Sequence, residues 1–187
     1  NCPNLTAPLA LSNCPNIQEI YATGSSITGV ELPKSGYLKK MYLPSTITNL
    51  TIQNQHYIEE FKCDGYANLT TLRVEDSPKI PVETILKNAV NLNRVRLLDI
   101  DITINDANVL KGLYACGGLD EQGNNVTNAV ITGKATITAL IPASKVDYWR
   151  AAFPNLELTF TNIGYMVTFK NDNGVVLKEQ AVASGGN

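Results

Sequence analysis

Residues 37–52 have the sequence YLKKMYLPSTITNLTI, in which one pattern occurs twice. The pattern is apolar-x-x-apolar-x-apolar, and it spans residues 38–43 and then residues 47–52. Its last two apolar positions alternate with a polar residue, as in Leu50-Thr51-Ile52. A period of two is typical of a short strand with one buried face. The stretch therefore predicts two short strands separated by a polar turn after Pro44.

The same pattern recurs through the first half of the chain, beginning at residues 17, 27, 38, 47, 58, 69 and 92. Every second start belongs to one of two series, 17/38/58 and 27/47/69/92, with steps of 20 to 23 residues. A step of this size indicates a repeated structural unit. We expect the second series to line a concave sheet and the first to form short outer strands.

Several stretches carry a family resemblance: residues 37–52, ITGVELP at 27–33, YANLTTLRV at 66–74, and NCPNL and NCPNI beginning at Asn1 and Asn13. Together they resemble the short leucine-rich repeats of the BspA-like type, which occur on bacterial surfaces. The resemblance covers about the first 100 residues and implies a repeat solenoid.

Longer units follow, and three of them have helical spacing. Residues 81–91 begin with Pro81, residues 105–117 end at a glycine, and residues 145–153 follow Ser144 as a predicted cap. We therefore predict an α/β fold, a leucine-rich-repeat-like solenoid over residues 1–162. Short strands are expected in its N-terminal half and helical coils in its C-terminal half.

Residues 163–187 have a different pattern, two strands around Asn171-Asp172-Asn173-Gly174. Asn and Gly tolerate positive φ, so this stretch predicts a β-hairpin. It resembles the opening of the β-grasp-like repeats in surface proteins of the internalin type. We expect it to be the start of a following, truncated β domain, and the chain to be a segment of a longer protein.

Charge and hydropathy exclude two classes of partner. The chain has 15 Lys and Arg against 17 Asp and Glu, a net charge of -2, without a basic run. Nucleic acid is therefore not an expected partner, because phosphate contacts need clustered cations. The apolar stretches are far shorter than the roughly 20 residues that span a bilayer, so no membrane insertion is expected.

The cysteines and the single histidine do not predict a metal or cofactor site. Cys2, Cys14, Cys63 and Cys116 include no C-x-x-C pair, and His56 is the only histidine. The cysteines are expected to be small buried thiols, and the alternative is a disulfide between Cys2 and Cys14.

No catalytic residue is predicted either. His56 has no nearby nucleophile in the sequence, and Asp99 and Asp101 fit a solvated strand edge better than a glycosidase or cation site. Trp149 and Tyr148 are expected to pack against the core rather than form a binding patch.

Alternation along the 27/47/69/92 series identifies the side chains that leave the concave sheet. These candidate ligand-binding residues are Glu31, Asn49, Thr51, Thr71, Arg73, Arg94 and Arg96. Arg73 and Arg96 would lie side by side on neighbouring strands, with Arg94 on the adjacent row. These arginines would form a cationic patch that engages carboxylates of a protein or an acidic glycan. The alternative is that Glu31, Glu75 and Asp99 neutralise the patch.

The leading functional hypothesis is a non-catalytic binding or adhesion module of a bacterial surface protein, with a protein or glycan on a cell surface as its partner. The alternative is an architectural part of a phage virion, such as a tail or fibre segment, that contacts sister subunits. Either role places the chain outside the cell, at a cell surface or in a virion. A glycan-active enzyme is a third hypothesis, disfavoured because no nucleophile, base and oxyanion set is visible.

Overall fold

The computed structural model describes residues 4–33 and 36–184. Its strands are β1 (Leu9–Ala10), β2 (Glu19–Tyr21), β3 (Gly29–Glu31), β4 (Lys40–Leu43), β5 (Asn49–Gln53), β6 (Glu60–Cys63), β7 (Thr71–Glu75), β8 (Arg94–Ile104), β9 (Gly117–Leu119), β10 (Asn125–Val126), β11 (Val130–Ile137), β12 (Ile141–Pro142), β13 (Leu156–Phe160), β14 (Ile163–Lys170) and β15 (Val176–Ala183). The helices are α1 (Val82–Asn88), α2 (Ala107–Ala115) and α3 (Ala143–Ala152). None of them has the length and apolar character that a membrane crossing requires.

Two sheets divide the strands of the first half of the chain. One contains β1, β3, β5, β7 and β8 in that order and continues through β11 to β13, and all these neighbours are parallel. Two further strands make nine, because β9 pairs parallel with β8 and β10 pairs antiparallel with β9. The other is a parallel sheet of β2, β4 and β6. The prediction that alternate copies of the pattern form separate sheets is therefore confirmed.

Apolar side chains of both sheets meet in one hydrophobic cluster. Met41 and Leu43 of the small sheet and Leu50 and Ile52 of the large sheet are each at most 1% exposed. Because side chains alternate along a strand, the polar residues between them lie on the opposite faces. We call the face of the large sheet that is turned away from this cluster the outer face.

Polar residues in the turns link successive units of the large sheet. The Thr48 hydroxyl donates to the Thr28 carbonyl at 3.2 Å, and the Thr70 hydroxyl donates to the Thr48 carbonyl at 3.0 Å. The Asn91 side-chain amide donates to the Ala67 carbonyl at 2.7 Å. The Thr28 and Thr48 carbonyls also accept backbone N–H groups of the next unit, so these side chains reinforce the links between units. This is one structural use of the Thr- and Asn-rich composition.

Helices α1 and α2 lie within the predicted ranges, whereas α3 begins two residues before its predicted range of 145–153. Asp106 caps α2 by accepting a hydrogen bond from the Asn108 backbone N–H at 2.8 Å. The third helix begins at Ala143 after Pro142 and has no side-chain cap. The prediction that Ser144 caps it is therefore wrong, because Ser144 already lies in the first helical turn.

The predicted fold class, an α/β leucine-rich-repeat-like solenoid with helical coils in its C-terminal half, is wrong. Strands make up 41% of the structure and helices 15%, and the mixed nine-stranded sheet forms a half-barrel. Residues 97–104 and 130–137 belong to β8 and β11, the longest strands of that sheet. Both stretches are rich in β-branched Ile, Val and Thr, which favour strands, and this local preference decides the fold there.

A β-bulge interrupts the pairing of these two strands. Leu98 and Asp99 of β8 together lie opposite Thr132 of β11, and Asp99 has a φ of 55°. Gly133 has a φ of 116°, and a Cβ there would lie 2.1 Å from the Ile100 carbonyl oxygen, so only glycine fits. The bulge interrupts the regular alternation of side chains along β8 at Asp99, and Asp99 and Asp101 are both exposed.

The C-terminal hairpin is confirmed as β14 paired antiparallel with β15. Gly174 closes its turn with a φ of 78°, and its N–H donates to the Asn171 carbonyl at 2.9 Å. The hairpin also joins the preceding chain, because β14 pairs with β12 through Ile163 and Gly164. A domain boundary between residues 162 and 163 stays a prediction.

The division into buried and outer residues can be tested on β5. We expect Leu50→Ala to lower the free energy of unfolding by about 2–5 kcal/mol, because the removed side chain leaves a cavity. The control, Asn49→Ala on the exposed neighbouring position, should cost less than about 0.5 kcal/mol. Urea unfolding followed by circular dichroism measures both, and equal losses would contradict the assignment.

Candidate binding surface

In-register pairing aligns the predicted site residues in rows across the large sheet. Thr51 lies between Glu31 and Arg73, and Arg73 lies opposite Arg96. The second row runs from Asn49 through Thr71 to Arg94. The predicted adjacency of Arg73 and Arg96 is therefore confirmed, and all seven candidate residues belong to four neighbouring strands.

The N-terminal side of the outer face contains an open groove of about 500 Å³. We call it the polar groove; it is lined by Pro8, Thr28, Gly29, Val30, Glu31, Leu32, Pro33, Thr48, Asn49, Thr51 and Gln53. Three of the predicted site residues, Glu31, Asn49 and Thr51, lie in it. The other four lie beyond this lining, towards β7 and β8.

The polar groups of this groove retain capacity for a ligand. The Glu31 carboxylate is exposed and forms no hydrogen bond or ion pair with any described residue. Asn49 accepts a long hydrogen bond of 3.4 Å from the Thr51 hydroxyl. A carboxylate accepts hydrogen bonds from charged or neutral donors, and an amide both donates and accepts.

Two glutamines that the sequence did not single out shape the groove. Gln53 lines it and donates to the Glu75 carboxylate at 2.6 Å. Gln55 is 1% exposed, and its amide donates to the carbonyls of Pro33 and Gln53 at 2.9 Å each. Buried hydrogen bonds of this kind hold the groove wall in place before a ligand binds.

The arginines do not form the solvent-exposed patch that the sequence predicts. Arg73 and Arg96 are only 9% and 7% exposed. The Nε of Arg73 donates to Glu75 Oε1 at 2.9 Å, and the Nε of Arg96 donates to the same oxygen. We call Arg73, Arg94, Arg96 and Glu75 the arginine cluster. The sequence alternative was that Glu31, Glu75 and Asp99 neutralise the patch. Of these three carboxylates, Glu75 contacts Arg73 and Arg96, whereas Asp99 accepts a hydrogen bond from the Thr132 hydroxyl.

A short hairpin, residues 117–128 with β9 and β10, covers this cluster, and we call it the covering hairpin. Arg73 Nη2 donates to the Glu121 carbonyl at 2.9 Å, and Arg96 Nη1 donates to the Leu119 carbonyl at 3.3 Å. Arg94 Nε donates to Asn125 Oδ1 at 3.1 Å. The hairpin begins as part of the sheet, where Gly117 and Gly118 pair with β8, and its backbone then contacts the cluster from Leu119 onward.

The sequence analysis did not identify the covering hairpin, although its sequence contains a signal for it. The adjacent Gly117 and Gly118 permit close backbone approach, since a Cβ at Gly118 would lie 2.1 Å from the Asn128 carbonyl oxygen. The turn follows at Asp120, which accepts hydrogen bonds from Asn124, and at Gly123, which has a φ of 88°.

Opposing influences determine the pKa of Glu75. Partial burial raises it, but the hydrogen bonds from Arg73, Gln53 and Arg96 outweigh burial, so the pKa lies below its ordinary value. The carboxylate is therefore ionised at neutral pH. It stabilises the folded state because it accepts hydrogen bonds from both Arg73 and Arg96, whose adjacent positive charges would otherwise repel each other.

The remaining candidate groups are dispersed. His56 lies 3.2 Å from Asp76, with both side chains largely exposed. Trp149 is buried, so its expected packing against the core is confirmed. Tyr148 beside it is exposed, so the same expectation is wrong for Tyr148. No group of three or more His, Cys, Asp or Glu within the described part of the chain is arranged to hold a metal ion.

The cysteines differ in environment. The thiols of Cys14, Cys63 and Cys116 are free; the first is exposed, the second half-buried and the third buried. The expectation of burial is therefore wrong for Cys14. Burial raises the pKa of the other two thiols and keeps them protonated. The alternative Cys2–Cys14 disulfide involves Cys2, which lies outside the described residues.

Comparison of the chain with family models, with curated proteins and with solved structures gives no match. The function of the chain is therefore inferred from the geometry of its outer face.

The role of Glu75 can be tested by Glu75→Gln. We expect a loss of about 3 kcal/mol at pH 7, because the two buried arginines lose their counter-charge. The folded-state pKa of Glu75 is lowered, so its stabilisation is complete above the unfolded pKa of roughly 4.3 and is lost as pH falls through the folded value. The loss caused by Glu75→Gln should therefore shrink in acid.

Urea unfolding at pH 7 and at pH 3 measures this difference. The matched control is Glu59→Gln, whose exposed side chain forms no hydrogen bond or ion pair among the described residues. It should have the stability of the parent at both pH values. A Glu75→Gln protein as stable as the parent at pH 7 would contradict the proposed neutralisation.

Proposed function

We propose that the chain is a non-catalytic binding module that recognises a protein or glycan through the polar groove. The observation that carries this proposal is the open cavity of about 500 Å³ in which Glu31 and Asn49 present polar groups to solvent. Most of a small ligand's surface can be buried in a cleft of this size, and a few placed polar groups then orient it.

The chemistry of the lining supports binding rather than turnover. The described residues that line the groove carry one carboxylate, Glu31, beside hydroxyls, amides and prolines. General acid–base catalysis requires groups that exchange protons with a reacting atom, and hydroxyl and amide side chains do so poorly. These groups instead match the hydroxyls of a glycan or the amides and cationic side chains of a protein.

The proposed location is extracellular, at a bacterial cell surface. This proposal rests on the resemblance of residues 27–74 to short repeats of BspA-like surface proteins, and of the C-terminal hairpin to internalin-type repeats. In such proteins a recognition surface faces other cells or their secreted polymers. The groove on the outer face would serve that role.

The second candidate function is an architectural part of a virion, and one observation favours it. The C-terminal hairpin exposes large apolar side chains, including Tyr165 at 64%, Phe169 at 49% and Leu177 at 67%. Several large apolar side chains exposed on one short hairpin are typical of a surface that contacts other proteins. Light scattering separates the candidates, since a stable trimer or hexamer favours the virion and a monomer favours the adhesin.

The groove can be tested with Glu31→Gln/Asn49→Ala. We expect at least a ten-fold loss of affinity for any partner found by glycan array or by flow cytometry on intact cells. The physical reason is that a hydrogen bond to the charged Glu31 carboxylate contributes about 1.5–3 kcal/mol and one to the neutral Asn49 amide about 0.5–1.5 kcal/mol. Glu59→Gln, at an exposed position just before β6, is the control and should bind as the parent does. A folded double variant with parental affinity would rule out the groove.

A further inference from the structure

The arginine cluster contains more positive than negative charge. Arg73 and Arg96 share one carboxylate, Glu75, and Arg94 donates to the neutral amide oxygen of Asn125 instead. The acidic residues of the covering hairpin do not correct this excess. Asp120 accepts hydrogen bonds from the Asn124 backbone and side chain at 2.8 and 2.9 Å, and Glu121 contributes its backbone carbonyl. Two uncompensated positive charges therefore remain beneath the hairpin.

The guanidinium groups also have unused donors. A guanidinium carries five N–H groups. Arg73 uses Nε and Nη2, and Arg96 uses Nε and Nη1. Nη1 of Arg73 and Nη2 of Arg96 have no hydrogen-bond partner among the described residues, and neither is a fully buried atom. Charged donors are thus available within the covered region.

The covering hairpin holds the arginines with neutral groups alone. It offers the carbonyls of Leu119 and Glu121 and the amide oxygen of Asn125. Residues 121–128 are all exposed, and β9 and β10 pair through only two residue pairs. Because β9 pairs with β8 through Gly117 and Gly118, the hairpin can open beyond Gly118 while these two residues stay in the sheet. Hydrogen bonds from arginine to a carboxylate are roughly twice as strong as those to a neutral acceptor. A carboxylate ligand would therefore compete well with this hairpin.

We propose that the arginine cluster is a second binding site, for an extended acidic peptide segment, and that the covering hairpin opens to admit it. The geometry favours a peptide because the displaced carbonyls belong to residues 119 and 121, and alternate carbonyls of an extended strand point to the same side. An acidic strand would supply the same carbonyls together with carboxylates. The site is independent of the polar groove and of its proposed ligand.

Only molecules in which the covered site is open can bind a ligand. The apparent affinity is therefore the intrinsic affinity multiplied by the open fraction. Removing one contact of the hairpin raises that fraction without changing the arginines. Asn125→Ala deletes the hydrogen bond from Arg94, a bond to a charged group, and such a loss shifts the equilibrium by about ten-fold. Thr127→Ala is the matched control, an exposed hairpin residue whose side chain forms no hydrogen bond among the described residues.

The experiment measures binding of a hexaglutamate peptide by isothermal titration calorimetry, with hexaglutamine and inorganic phosphate as comparison probes. We expect Asn125→Ala to bind hexaglutamate about ten-fold more tightly than the parent, and Thr127→Ala to bind within two-fold of it. Arg94→Gln, at the half-exposed edge of the cluster, should weaken binding at least ten-fold, with folding checked by thermal unfolding. Hexaglutamine should not bind.

Several results would overturn the proposal. Absence of hexaglutamate binding to both the parent and Asn125→Ala would exclude the site. Equal affinity of these two proteins would show that the hairpin does not control access. Phosphate binding as tight as that of the peptide would identify a site for small oxyanions instead. If Arg94→Gln unfolds, Arg94→Lys replaces it, and undiminished hexaglutamate binding by a folded Arg94 variant also counts against the proposal.

Discussion

In-register parallel pairing of β3, β5, β7 and β8 places residues of successive units side by side, about 4.8 Å apart. On the buried face this arrangement aligns Leu50, Leu72 and Val95 in a continuous apolar row. On the outer face it brings Arg73 next to Arg96, two positive charges that repel each other unless a counter-charge separates them. Glu75 supplies that counter-charge, and the covering hairpin satisfies further donors.

The same arrangement divides the outer face into two regions with different chemistry. Over β3 and β5 the side chains are short and mostly uncharged, so the face remains an open groove around Glu31 and Asn49. Over β7 and β8 the side chains are long and cationic, and the hairpin lies above them. Gln53 connects the regions through its hydrogen bond to Glu75. A change in the charge of Glu75 would therefore affect the wall of the groove as well as the cluster.

Local pattern was sufficient to predict strands β2 to β7 and the start of β8, their division into two sheets and the adjacency of Arg73 and Arg96. It did not predict β1. Period-two alternation and a regular step are local properties, so they can be recognised without a structure. The fold class was wrong because β8 continues past a bulge to Ile104 and β11 pairs with it. The burial of the arginines was missed because the residues that cover them, Leu119 and Glu121, follow more than 20 positions later, and only the tertiary structure brings them together.

The central claim is that Glu75 and the covering hairpin hold the side chains of Arg73 and Arg96 in place. Exchange of the arginine Nε–H protons with water, followed by nitrogen-15 NMR, tests it most directly. The account predicts slow exchange for Arg73 and Arg96, whose Nε–H groups donate to Glu75, and fast exchange for the exposed Arg150. Exchange of all three at the same fast rate would contradict the account.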